Sequence, residues 1–236
     1  MKGTIRLFKI FGIAINIHIT FFLLFFLVLY DGVKGIFLVI GVFFFVTAHE
    51  LCHSLMAKRF GVTVREITLL PIGGVSSMAE MPEKPIREFL ISIAGPISNI
   101  AVILIFFFPL KYLLGEHALL DFLKHWRLST ATWPLTLASI YWVNIFLAGF
   151  NLIPAFPMDG GRILRSALAA KIGYHKATKA AVALGRVFAL IFAYLGIARF
   201  NIILIFIAIF VYAAASNEAA RVDIKETLNK QRKRDE

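Results

Sequence analysis

Two long stretches without a formal charge set the terms for this chain. Ile10 to Tyr30 and Leu128 to Met158 contain no Asp, Glu, Lys or Arg, and roughly 20 apolar residues are what a helix needs to cross the hydrocarbon core of a bilayer. In lipid only helices and closed barrels satisfy every backbone N–H and C=O. The pattern therefore predicts an all-α polytopic membrane protein with about six transmembrane helices, at residues 17–30, 35–57, 89–110, 133–153, 177–198 and 200–217. Hydrophobic residues make up 59% of the 236 positions, against roughly 45–50% in soluble domains. No polar stretch is long enough to fold alone, so residues 1–236 are expected to form one integral membrane domain. Met1-Lys2 carry charge ahead of the first apolar run, but no A-x-A site follows, which favours a retained span over a cleaved signal.

Two segments break the helical pattern. Gly3 to Ile17 alternate loosely and are rich in Ile and Phe, as in a strand or two at the membrane surface. Val62 to Leu70, then Pro71-Ile72-Gly73-Gly74, then Val75 to Met78 read as strand, turn and strand. A small membrane-associated β-sheet or hairpin follows. Because open strand edges are not tolerated in lipid, it must be covered by protein or face a water-filled cavity. The polar stretch with Glu116, His117, Asp121, Lys124 and His125 reads as a mixed loop, and His175 falls in another.

The net charge of +11 does not gather into a basic face interleaved with aromatics, so nucleic acid is not an expected partner. With six spans, all of the 25 Lys and Arg residues except Lys34, Lys111, Lys124, Arg127 and Arg199 fall on the side that holds both termini. The positive-inside rule makes that side the cytoplasm. Arg186, within the fifth span, is expected to snorkel to that surface. A single cysteine permits no internal disulfide.

Ionisable groups inside an apolar helix are functional candidates by default. His49-Glu50-Leu51-Cys52-His53 reads H-E-x-x-H near the end of the second span. Residues four apart share a helix face, so both imidazoles can bind one metal while Glu50 stands beside it as general base. A catalytic zinc has three protein ligands and an open position. Asp159 is the best candidate for the third, ending a long uncharged run between Pro157 and Gly160-Gly161. Asn151 is a candidate donor to the oxyanion of a peptide-bond hydrolysis. Zinc suits two histidines and an aspartate, and iron and cobalt fit the same donors. Cys52 reads as packing, and His18 as an interface residue. Two other readings are a metal transporter using the same ligands and a non-catalytic relative that binds membrane proteins. A transporter has no need of a dedicated base, and a silent relative has no need of Glu50 and Asp159.

Two separated motifs in this order resemble the site-2 protease family of intramembrane zinc metalloproteases. The resemblance is carried by His49-Glu50-Leu51-Cys52-His53 and by Asn151-Leu152-Ile153-Pro154-Ala155-Phe156-Pro157-Met158-Asp159-Gly160-Gly161, with the Gly73-Gly74 segment and Gly95-Pro96 through Asn99 as further points of similarity. It implies His49, His53 and Asp159 as zinc ligands, Glu50 as the catalytic carboxylate and Asn151 as an aid to oxyanion or substrate. It also implies single-span or pre-cleaved transmembrane proteins as substrates; the expected setting is the cell membrane of a prokaryote, and the charge bias puts the H-E-x-x-H end of the second span and the Asp159 end of the fourth on the cytoplasmic side. The PDZ and CBS-pair domains that many members carry are not expected within these residues.

Overall fold

The structure, a computed structural model, describes residues 3–71, 73–78, 82, 84–125 and 128–235. Met1, Lys2, Ile72 and Arg127, used above, lie outside them. The chain divides into two compact units, Met1–Met81 with Ala94–Gly149, and Pro82–Ile93 with Phe150–Glu236. Five helical stretches among the described residues are long and apolar enough to cross a membrane: Ile19–Arg59, Pro85–Leu114, Trp133–Asn151, Tyr174–Ala198 and Ile202–Ile224.

The first unit opens with a four-stranded sheet, β1 (Thr4–Ile10), β2 (Ile13–His18), β3 (Val64–Leu70) and β4 (Gly73–Met78), in that spatial order. The β1/β2 and β3/β4 pairs are antiparallel hairpins, whereas β2 and β3 run parallel, Ala14 opposite Glu66 and Ile17 opposite Leu69. Parallel neighbours need a long crossover, and here it is the helical segment Ile19–Arg59. Flanked on both edges, β2 buries Ile13, Ala14, Ile15, Asn16 and Ile17. The buried Asn16 amide donates to Glu66 Oε2 at 2.7 Å, which offsets the cost of a polar group there.

The apolar run expected to hold a regular first span is interrupted. A 3-10 turn at Ile19–Phe21 leads into α1 (Phe22–Val28), and a second at Leu29–Asp31 ends on Gly32 at φ +58°. Helix α2 (Gly32–Arg59) then runs unbroken and ends with Lys58 and Arg59 beside its C-terminal carbonyls, where cations are favoured. Lys58 Nζ also donates to the Phe11 carbonyl at 2.6 Å, tying the β1/β2 turn to this helix end. Helix α3 (Pro85–Leu114) starts in the second unit and continues into the first. Residues Glu116–His125 form a helix, α4, and not the expected loop, because Leu119 is buried with Leu110, Ala138 and Tyr141. His117 and His125 therefore lie on a helix, as does His175. Helix α5 (Trp133–Asn151) completes this unit, apart from its last two residues.

In the second unit, residues 152–158 leave helical geometry at Pro154 and Pro157, and α6 (Asp159–Ile172) follows. Helices α7 (Tyr174–Ala198) and α8 (Ile202–Asp235) pack as a long antiparallel pair. Phe156 is buried with Ala181, Val182 and Ala215. Exposed Arg186 lies 5.8 Å from the Tyr212 ring centroid. Arg165 is almost wholly buried. Its Nε donates to Glu88 Oε1 at 2.8 Å, with Nη2 on the same oxygen and Nη1 on Glu218. The guanidinium sits 4.8 Å from the Phe156 ring and 4.7 Å from that of Tyr174. Burial acts to lower its pKa, and the Glu88 carboxylate reverses the effect, leaving it raised. Removing one partner of a buried pair costs about 3–5 kcal/mol because the other charge is stranded. Arg165→Met is therefore expected to lower the thermal midpoint in detergent strongly, and adding Glu88→Gln to recover part of the loss.

Candidate active site

His49 and His53 lie one turn apart on α2, both buried. Their Nε2 atoms are 3.1 Å apart. Two nitrogens at 2.0–2.1 Å from a tetrahedral zinc stand roughly 3.3 Å from each other, so the pair fits one ion. The space beside them is kept open by Gly95 on α3. A Cβ there would lie 2.2 Å from His53 Nε2 and 2.7 Å from His49 Nε2, so any side chain would occupy the ground facing both nitrogens. His49 Nδ1 is 2.5 Å from Asn99 Oδ1, an acceptor. With the Asn99 oxygen on that side, Nδ1 is the donor nitrogen and Nε2 the one turned toward His53.

Glu50 is half-buried beside the pair. On β4, Gly74 and Ser76 face α2 because side chains alternate along a strand. A Cβ on Gly74 would come 2.6 Å from Glu50 Cγ, and Ser76 Oγ donates to Glu50 Oε2 at 2.5 Å. The carboxylate is thus seated in a shallow notch of the sheet. Cys52 is half-buried.

Asp159 and Asn151 belong to the second unit. Asn151 closes α5 and Asp159 opens α6, where a carboxylate is favoured by the helix dipole. The connecting loop folds tightly over the first turn of α6: a Cβ on Gly160 would meet the Ile153 carbonyl oxygen at 2.2 Å, and one on Gly161 the Ala155 carbonyl carbon at 2.5 Å. Arg165, stacked on Phe156, clamps the same loop. Asp159 is therefore held by backbone packing that two glycines alone permit.

Sequence reasoning names His49, Glu50, His53, Asp159 and Asn151. It misses Ser76 and Asn144, and it notes Gly95 and Asn99 only through the resemblance. The signal available for Asn144 was an amide in the middle of an apolar helix, which demands a partner.

The profile of peptidase family M50 matches residues 37–192. A zinc metalloprotease of Methanocaldococcus jannaschii is 43% identical over 237 residues, which cover 98% of this chain and 64% of that protein. Rip3 of Mycobacterium tuberculosis is 34% identical over 191 residues, 76% of this chain and 45% of its own length. The chain thus spans less than two thirds of these curated relatives. A solved site-2 protease from Methanocaldococcus jannaschii matches with a TM-score of 0.62 at 40% identity, covering 92% of this chain and 95% of the other. The apolar helices place the chain in a lipid bilayer, and the histidine pair is spaced for the zinc that the relative's name carries. With two thirds of its residues under one profile and a relative at this identity, the chain belongs to peptidase family M50.

Proposed function

We propose that the chain is a zinc-dependent intramembrane endopeptidase that hydrolyses peptide bonds in or near transmembrane segments of single-span or pre-cleaved membrane proteins. The observation that carries this reading is the facing pair of imidazole nitrogens at 3.1 Å with Glu50 beside it, in an apolar helix. His49, His53 and Asp159 hold the metal. Zinc held there would supply the Lewis acidity that peptide hydrolysis needs. Glu50 takes a proton from the attacking water as its oxygen bonds to the scissile carbonyl carbon, and gives it to the amide nitrogen as the C–N bond breaks. The Ser76 hydroxyl holds the carboxylate in place meanwhile. The Asn151 amide donates to the oxyanion. Strand β4 is last in the sheet order, so its outer edge can pair with an unwound substrate segment, presenting an extended backbone for cleavage.

Counting Ile19–Arg59 as two crossings, broken at the Leu29–Asp31 turn, both termini and the opening of the site face the cytoplasm of a prokaryotic cell, a reading supported by the distribution of Lys and Arg. The test is metal content together with cleavage of a tagged transmembrane substrate, on protein purified in detergent. Wild type is expected to hold about one zinc per chain and to cleave. His53→Ala and Asp159→Ala are each expected to lose zinc and cleavage together. Full zinc retention by Asp159→Ala removes that residue from the ligand set. Zinc binding with no cleavage of any transmembrane substrate overturns the protease reading.

A further inference from the structure

Two buried asparagines stand behind His49. Asn99 on α3 and Asn144 on α5 are each 1% exposed, and an amide so placed is costly unless each of its polar atoms is paired. The pairing here has a direction that can be read from one end. The Ile140 carbonyl can only accept, and Asn144 Nδ2 donates to it at 3.0 Å. That turns Asn144 Oδ1 toward α3, where it accepts from Asn99 Nδ2 at 2.9 Å. Asn99 must then present Oδ1 to His49 Nδ1. An acceptor in that position demands a proton on Nδ1.

The second asparagine is what makes the first unambiguous. Alone, the Asn99 amide could rotate by half a turn and offer Nδ2 to the ring. His49 Nδ1 would then accept, the ring proton would move to Nε2, and that nitrogen could not coordinate. Asn144 forbids the rotation, because it would set two carbonyl oxygens against each other in a buried site.

We propose that Asn144 and Asn99 form a relay that locks His49 in the tautomer able to bind metal, with Asn144 a positioning residue acting wholly through Asn99. The proposal rests on His49 being a zinc ligand.

Zinc affinity measured by competition with a chromogenic chelator tests it, on wild type, Asn99→Ala, Asn144→Ala, the double variant and His49→Ala. Loss of a partner behind a ligating histidine typically weakens metal binding about 10–100-fold. Asn99→Ala is expected within that range, and Asn144→Ala at its lower end. Because the residues act in series, the double variant is expected to match Asn99→Ala alone. Independent packing roles would multiply the two losses, and that result overturns the relay, as does wild-type affinity in Asn144→Ala. Wild-type affinity in His49→Ala instead defeats the ligand assignment and the relay with it. Nitrogen-15 NMR of the metal-free wild type gives a readout that needs no variant: the relay requires the Nδ1–H tautomer at His49, and an Nε2–H tautomer overturns it.

Discussion

Glu50→Gln is expected to lower kcat/KM for a transmembrane substrate by about a thousandfold or more, in line with general-base contributions of 10²–10⁴, while zinc content stays at the wild-type level. The substitution is well posed because Gln is isosteric with Glu. Its chain fits the same notch under Gly74, where even one added carbon would come 2.6 Å from Glu50 Cγ. Its amide oxygen still accepts from Ser76, which donates to Glu50 Oε2 at 2.5 Å. Packing and the flanking histidines are thus preserved, and only the capacity to take a proton is removed. Cleavage and inductively coupled plasma metal analysis on the same preparations check both halves. Substantial cleavage by Glu50→Gln would mean that another group takes the proton.

What was legible in the sequence is what short-range geometry determines. Residues four apart share a helix face whatever surrounds the helix, so His49 and His53 could be paired by eye. The Pro154 and Pro157 break and the two glycines after Asp159 are equally local. The two strands expected between Val62 and Met78 are present, because alternation is a local property, but Gly73 and Gly74, read as turn, belong to β4, where they pair with Leu70 and Leu69. Long-range pairing is not. Nothing in residues 13–18 tells that β2 lies parallel to β3, since that partnership depends on a crossover of some forty residues closing back on it. Helix α4 looked like a loop because its charged face dominates its composition, and only Leu119 packing against α3 and α5 reveals the other face.

Buried polar groups mark the same boundary. Arg165 reads as one more basic residue on the cytoplasmic side, yet it is clamped between Glu88 and Glu218, residues 77 and 53 positions away. Asn99 and Asn144 are 45 positions apart and meet only in the folded chain. A polar residue in an apolar run announces that it needs a partner. Which partner it finds is a property of packing.

Gly95→Ala is expected to reduce zinc content to background and to abolish cleavage, from the addition of a single methyl group. In an ordinary helix interior this change stabilises by up to about 1 kcal/mol, so the outcome runs against propensity. At this position the new Cβ would stand 2.2 Å from His53 Nε2 and 2.7 Å from His49 Nε2, well inside any van der Waals contact. Neither imidazole can retreat freely, because His49 is held through Nδ1 by Asn99 and both rings are buried. Either the rings rotate and lose their shared focus, or α3 moves off α2. Both outcomes remove the open position facing the two nitrogens. Gly149→Ala is the matched control, since that glycine also lies in a helix and has nothing within 4 Å of an added Cβ; it is expected to keep its zinc. Circular dichroism controls for unfolding: helical content should be unchanged in both variants, with metal lost only in Gly95→Ala. Full zinc in Gly95→Ala would place the ion away from the nitrogens that face this helix, and the ligand geometry argued from the 3.1 Å separation would have to be abandoned.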